Sequence, residues 1–143
     1  MCKRMFSVAE HSIWVAKLGH PDDIVYGLIH DAHEAYLSDI PKPLKDAFPA
    51  LKEAASRIDT LVYQKLGIQA PSEETIHRVH MADEYSAWIE SRVLFEDQQD
   101  WQPGRKPPDD CEAAREMYYS LQEPPKQSYM IRDQWLSLLQ SNL

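Results

Sequence analysis

An all-α single domain is what this sequence predicts, and three observations carry the prediction. Glycine occurs only four times in 143 residues. Apolar residues recur at helical spacings rather than in strict alternation. Cap signals built on Ser or Pro-Ser stand in front of the periodic stretches. The length suits one domain, and 43% hydrophobic with 27% charged residues is globular composition rather than that of a disordered chain.

Taken in order, Ser7-Val8-Ala9-Glu10 is a capping box that opens a first helix running to Leu18, with Gly19 as its stop. Pro21 suits the first position of a second helix, with Asp22 and Asp23 at its positive end. The spacing carries that helix through Ile24, Val25, Leu28, Ile29 and the word His30-Asp31-Ala32-His33-Glu34 to about Leu37. Two prolines, Pro41 and Pro43, predict an ordered loop or a single turn over residues 38–45. A third long helix is expected over residues 50–66, with a stripe at Leu51, Ala54, Ile58, Leu61, Val62 and Leu66 and Gly67 as its end. Pro71-Ser72 caps a fourth over residues 73–95. A proline-rich, flexible loop over 101–110 and short helices over 111–121 and 129–139 complete one domain, 1–143. Its motifs fall within 1–95, and 96–143 supplies the loop and the C-terminal helices.

The formal charge of −8 argues against duplex nucleic acid held by a broad basic face, but leaves room for a small phosphorylated substrate in a locally cationic cleft. The cysteines, Cys2 and Cys111, form neither a zinc-ligand pattern nor a disulfide scaffold. No apolar run approaches about 18 residues and no signal-peptide layout is present, so a cytoplasmic, membrane-free location is expected.

A His-Asp dipeptide arises often by chance. His30-Asp31, however, falls on an apolar helix, where an ionised carboxylate without a partner costs on the order of several kcal/mol. One further ligand is available on each of two other helices, His11 and Asp83. Two imidazoles and two carboxylates make a mixed nitrogen–oxygen site for a divalent ion with positions open to water. Glu34 stands four residues after His30 and hence on the same helical face. His33 points away and reads as a packing or supporting residue. His77 reads as exposed, and His80, at an i, i+3 step before Asp83, comes near the site. Trp14, Tyr36 and Trp88 could stack on a base, but read better as core side chains.

The local words bring a family into view. In order they are Phe6-Ser7-Val8-Ala9-Glu10-His11-Ser12, Leu28-Ile29-His30-Asp31-Ala32-His33-Glu34-Ala35, Asp39-Ile40-Pro41-Lys42-Pro43-Leu44-Lys45 and Met81-Ala82-Asp83. Over residues 4–95 the chain resembles the HD-domain phosphohydrolases, in particular bacterial 5′-deoxynucleotidases and phage dATP triphosphohydrolases.

The resemblance implies a helical bundle of the HD-domain type, with His11, His30, Asp31 and Asp83 holding Zn, Co, Mn, Mg or Fe. It implies that Glu34 orients the attacking water or protonates the leaving group, and that Asp39 is a second carboxylate near the substrate. Lys42 and Lys45 are candidate phosphate contacts, each equally readable as a solvated loop cation. The expected reaction releases phosphate from a deoxynucleoside monophosphate or triphosphate from a triphosphate, with a dATP-like substrate favoured. Alternatives are hydrolysis of a guanosine alarmone and a non-catalytic, metal-stabilised helical module. Family members commonly form homo-oligomers and carry a longer N-terminal segment that helps hold the nucleotide. Here ten residues precede His11, so Lys3 and Arg4 are expected to substitute in part, with weak base discrimination as the result.

Overall fold

The computed structural model describes residues 4–95 and 103–143. Among them every regular element is helical: α1 Val8–Leu18, a 3-10 turn Pro21–Asp23, α2 Ile24–Ile29, α3 Glu34–Leu37, α4 Lys42–Ala47, α5 Pro49–Leu66, α6 Glu73–Leu94, α7 Glu112–Ser120 and α8 Ser128–Asn142. No helix among the described residues is long and apolar enough to cross a membrane. Lys3 and Cys2 lie outside the described residues, as do the first two positions of the expected 101–110 loop; from 103 to 110 no helix forms.

The middle of the fold is α1, which buries Ser12, Ile13, Trp14, Val15 and Ala16 in succession and is therefore enclosed on most sides. It lies against α2 and α6, with α7 and α8 closing the remaining flanks. Its N-terminus is held as the sequence predicts, the Ser7 hydroxyl accepting the Glu10 amide at 3.1 Å. The second arm of the expected capping box is absent, because the Glu10 carboxylate is paired with Arg4.

Close approach of α2 to α1 depends on Gly27. A Cβ placed there would stand 2.7 Å from the Cα and 3.0 Å from the backbone nitrogen of Ala16. Two tethers fix the ends of this segment. Asp23, buried before α2, accepts a bidentate pair from Arg78 of α6 at 2.5 and 3.0 Å. Near the other end the Trp135 indole of α8 donates to the Leu28 carbonyl at 3.1 Å, meeting one of the acceptors that a helix C-terminus leaves open.

Three expectations need correction. The second helix does not run through to Leu37: it stops at Ile29, and residues 30–33 form tight turns with i→i+3 bonds such as Ala32 to Ile29 and Glu34 to Asp31. Residues 42–47 form a short helix rather than a loop, since Pro43 falls in the first turn, where its missing N–H has no helical partner to lose. Leu61 and Tyr36 are 63% and 74% exposed, so neither is a core side chain. α5 buries no residue fully, and only Val62, Tyr63 and Leu66 reach the core. By contrast Trp14 is buried and Trp88 packs against its cluster, as expected. Between α3 and Asp39 the backbone of Ser38 takes φ 64, ψ 166, a conformation that suits glycine and costs an L-residue about 1–3 kcal/mol.

Because the Ala16 backbone cannot move aside without displacing α1, Gly27→Ala should lower the unfolding free energy by about 1–3 kcal/mol in chemical denaturation. A variant as stable as the parent would mean that α1 and α2 are not so closely apposed.

Candidate metal centre

His11 projects from α1, His30 and Asp31 from the turn after α2, and Asp83 from the middle of α6. His11, His30 and Asp83 each offer a ligand atom within 4.8 Å of the other two. His11 Nε2 stands 3.2 Å from Asp83 Oδ1, and His30 Nε2 lies 4.0 Å from the same oxygen. The two imidazole rings are 5.3 Å apart, tilted by 48°. Asp31 lies beside that set, its Oδ2 3.0 Å from His30 Nε2, and forms with His33 and Glu34 a second set whose ligand atoms lie within 4.8 Å of one another.

The ring orientations follow from what lies behind them. His30 Nδ1 is 2.8 Å from the Gly27 carbonyl, which can only accept, so this nitrogen carries the proton and Nε2 presents a lone pair to the site when the ring is neutral. His11 Nδ1 is 2.7 Å from Glu90 Oε1, which turns its Nε2 inward in the same way. His30 Nε2 is buried and has no hydrogen-bond partner, its nearest neighbour being Asp31 Oδ2 at 3.0 Å. A buried nitrogen of this kind, among an imidazole and two carboxylates, fits a divalent cation better than it fits a closed polar core.

Charges in the site respond to one another. Burial works against a positive His11, but hydrogen bonds to Asp83 and Glu90 outweigh it and push the imidazole up to about 10. Burial likewise opposes a charged His30, while the neighbouring Asp31 carboxylate raises it. Against the cost of burial, His30 beside Asp31 holds its carboxyl below the usual carboxylate range. Burial together with the charges of Asp31 and Asp39 pushes Glu34 up, with Lys45 acting the other way.

The remaining expected residues divide. Glu34 opens α3 and meets Lys45 Nζ at 3.5 Å. Asp39 borders a pocket of about 250 Å³ with Phe6, His11, Asp31 and Glu34. Lys45 reaches a larger cleft of about 570 Å³, which has His30, Asp31 and Asp83 on its walls along with Lys52, Tyr63 and His80. Asp31 is thus common to both openings. Lys42 is exposed and borders neither. Arg4 pairs its guanidinium with buried Glu10 and donates to the Glu123 carbonyl at 3.0 Å, in the turn beyond α7, and borders neither opening. His33 Nδ1 lies 3.2 Å from Asp59 of α5, which borders the larger cleft. His77 is exposed, and His80, 61% exposed, lies at the cleft wall beside Glu84.

Sequence reasoning missed Glu90, Ser86 and Lys52. The first two were within reach, because Asp83, Ser86 and Glu90 lie at i, i+3 and i+7 on one face of α6. Glutamate on a long helix ordinarily reads as a solvated residue, and that reading hid it. Lys52 becomes visible only once α5 folds over the cleft.

No family model matches the chain. Over 63 residues it is 38% identical to a protein of Escherichia coli K12 named as uncharacterized protein YfdR. The matched stretch covers 44% of this chain and 35% of that protein, whose name assigns no activity.

With its ordinary value of 6.5 raised to about 10, His11 stabilises the chelator-treated protein fully below pH 6.5 and ceases to do so as pH rises through 10. The thermal midpoint in chelator should therefore fall across that window, and His11→Gln should flatten the fall. Identical profiles for the two proteins would remove His11 from this electrostatic role.

Proposed function

We propose that this chain is a divalent-metal-dependent phosphohydrolase of the HD-domain type that acts on deoxynucleotides. The observation that carries the reading is the buried, unbonded Nε2 of His30, facing His11, Asp31 and Asp83. Those four residues would hold the ion. When bound, a divalent ion supplies Lewis acidity and neutralises charge on a phosphoryl group.

The protein side chains account for the rest of the chemistry. Glu34, with its carboxyl pushed up by burial and by Asp31 and Asp39, retains a proton more readily than an ordinary carboxylate. It can donate that proton to a leaving oxygen, or take one from water when ionised. Lys45 contacts Glu34 and also reaches the large cleft, so it couples this proton inventory to the place where phosphate would lie. Lys52 adds a second cation on the same wall. The Tyr26 and Tyr63 rings, edge to face at 6.2 Å, give the cleft an aromatic side suited to a nucleobase. A cleft of about 570 Å³ is within the usual range for a small-molecule site.

A panel of deoxynucleoside mono- and triphosphates, incubated with and without Mn²⁺ or Co²⁺, tests the reading. Metal-dependent release of phosphate or triphosphate is expected. Glu34→Gln should keep the metal and lower turnover by about two to four orders of magnitude, whereas Asp31→Ala should lose both metal and turnover. Absence of hydrolysis across the panel in a metal-loaded protein, or unchanged turnover in Glu34→Gln, would overturn it.

A further inference from the structure

The geometry points to Glu90 as a positioning residue of this metal centre, acting through His11 with Ser86 behind it; the inference rests on the metal-site reading above. α6 presents Asp83 to the site and, two turns further on, presents Glu90 to the opposite edge of the same imidazole. Glu90 Oε1 lies 2.7 Å from His11 Nδ1 and also accepts from the Ser86 hydroxyl at 2.5 Å. Ser86 is fully buried, and its oxygen is 3.3 Å from His11 Nδ1, so it closes a three-membered polar cluster with Met117 sulfur at its back. The Phe6 ring stands edge-on to the imidazole at 6.4 Å. His11 therefore has little freedom to turn.

The two histidines are oriented by different kinds of acceptor. His30 leans on a neutral carbonyl, that of Gly27, whereas His11 leans on a carboxylate. A carboxylate behind a ligating imidazole fixes the tautomer, as a carbonyl does, and also raises the donor strength of the inward nitrogen. Glu90 thus makes His11 the stronger of the two imidazole ligands. Ser86, by donating to the same oxygen, keeps that carboxylate aimed at Nδ1.

Zinc binding to the full chain, measured by competition titration, separates this role from a merely structural ion pair. Glu90→Ala should weaken zinc affinity by about 10- to 100-fold. Glu90→Gln, which keeps an acceptor oxygen but not the charge, should recover part of that loss. In nitrogen-resolved imidazole spectra of the zinc-loaded protein, the His11 Nδ1 proton should be protected from exchange in the parent and in Glu90→Gln, and exposed to it in Glu90→Ala. If Glu90→Ala melts lower yet binds zinc with parental affinity, Glu90 is structural only and the inference fails alone. If the parent itself takes up no zinc, the metal-site reading fails and this inference with it. Should Glu90→Ala fail to fold, equal zinc affinities for Glu90→Gln and the parent would overturn the charge-dependent role.

Discussion

The buried Nε2 of His30 has no hydrogen bond, and the local architecture is arranged so that it stays where it is. Its ring is anchored by the Gly27 carbonyl from the last turn of α2. That helix can lie close to α1 only because residue 27 has no side chain to meet Ala16. The same closeness brings His30 within ring contact of His11. Arg78 and Trp135 then hold the two ends of the segment against α6 and α8. Leaving a polar atom desolvated costs about 1–3 kcal/mol, a cost that a bound cation would offset.

Negative charge around that atom tells the same story. Asp31, Asp83, Glu34 and Asp39 gather at the two openings, with Lys45 and Lys52 on the wall of the larger one. Without a metal the carboxylates lean on His11 and His30, which are both raised as a result. A divalent ion would take over that duty and release the imidazoles to act as neutral ligands. Glu34 stands just beyond this group, close enough to feel Asp31 and Asp39 but also in contact with Lys45. Such a position separates a residue suited to proton transfer from those suited to holding an ion.

Much of this was legible in the sequence, and what was not has identifiable reasons. The capping serines and the Gly67 stop with φ 71 follow from short-range patterns that the tertiary structure leaves intact, whereas the convergence of His11, His30 and Asp83 is a tertiary property that the sequence offers only through the resemblance of its local words. The break at residues 30–33 was hidden because Ala32, His33, Glu34 and Ala35 are acceptable helix residues, and no glycine or proline marks the turn. It matters chemically: the turn, rather than a regular helix face, is what sets Glu34 relative to His30. Arg4 reads as a cleft cation from its place shortly before His11, whereas its guanidinium lies against Glu10 and the Glu123 carbonyl, the second a long-range contact that no local pattern announces. Glu90 is the opposite case, a residue that local statistics assign to solvent and that tertiary packing turns toward a histidine.

Whether these residues hold a metal, and where it sits, decides the proposed function. Anomalous diffraction from crystals grown with cobalt, collected at the cobalt edge, measures that directly. One strong peak bounded by His11, His30, Asp31 and Asp83 is expected, with Glu34 beside it and not ligating. A peak held instead by Asp31, His33 and Glu34, a second cluster among the described residues that is close enough to bind an ion, would overturn that assignment, as would crystals with no bound cobalt at all.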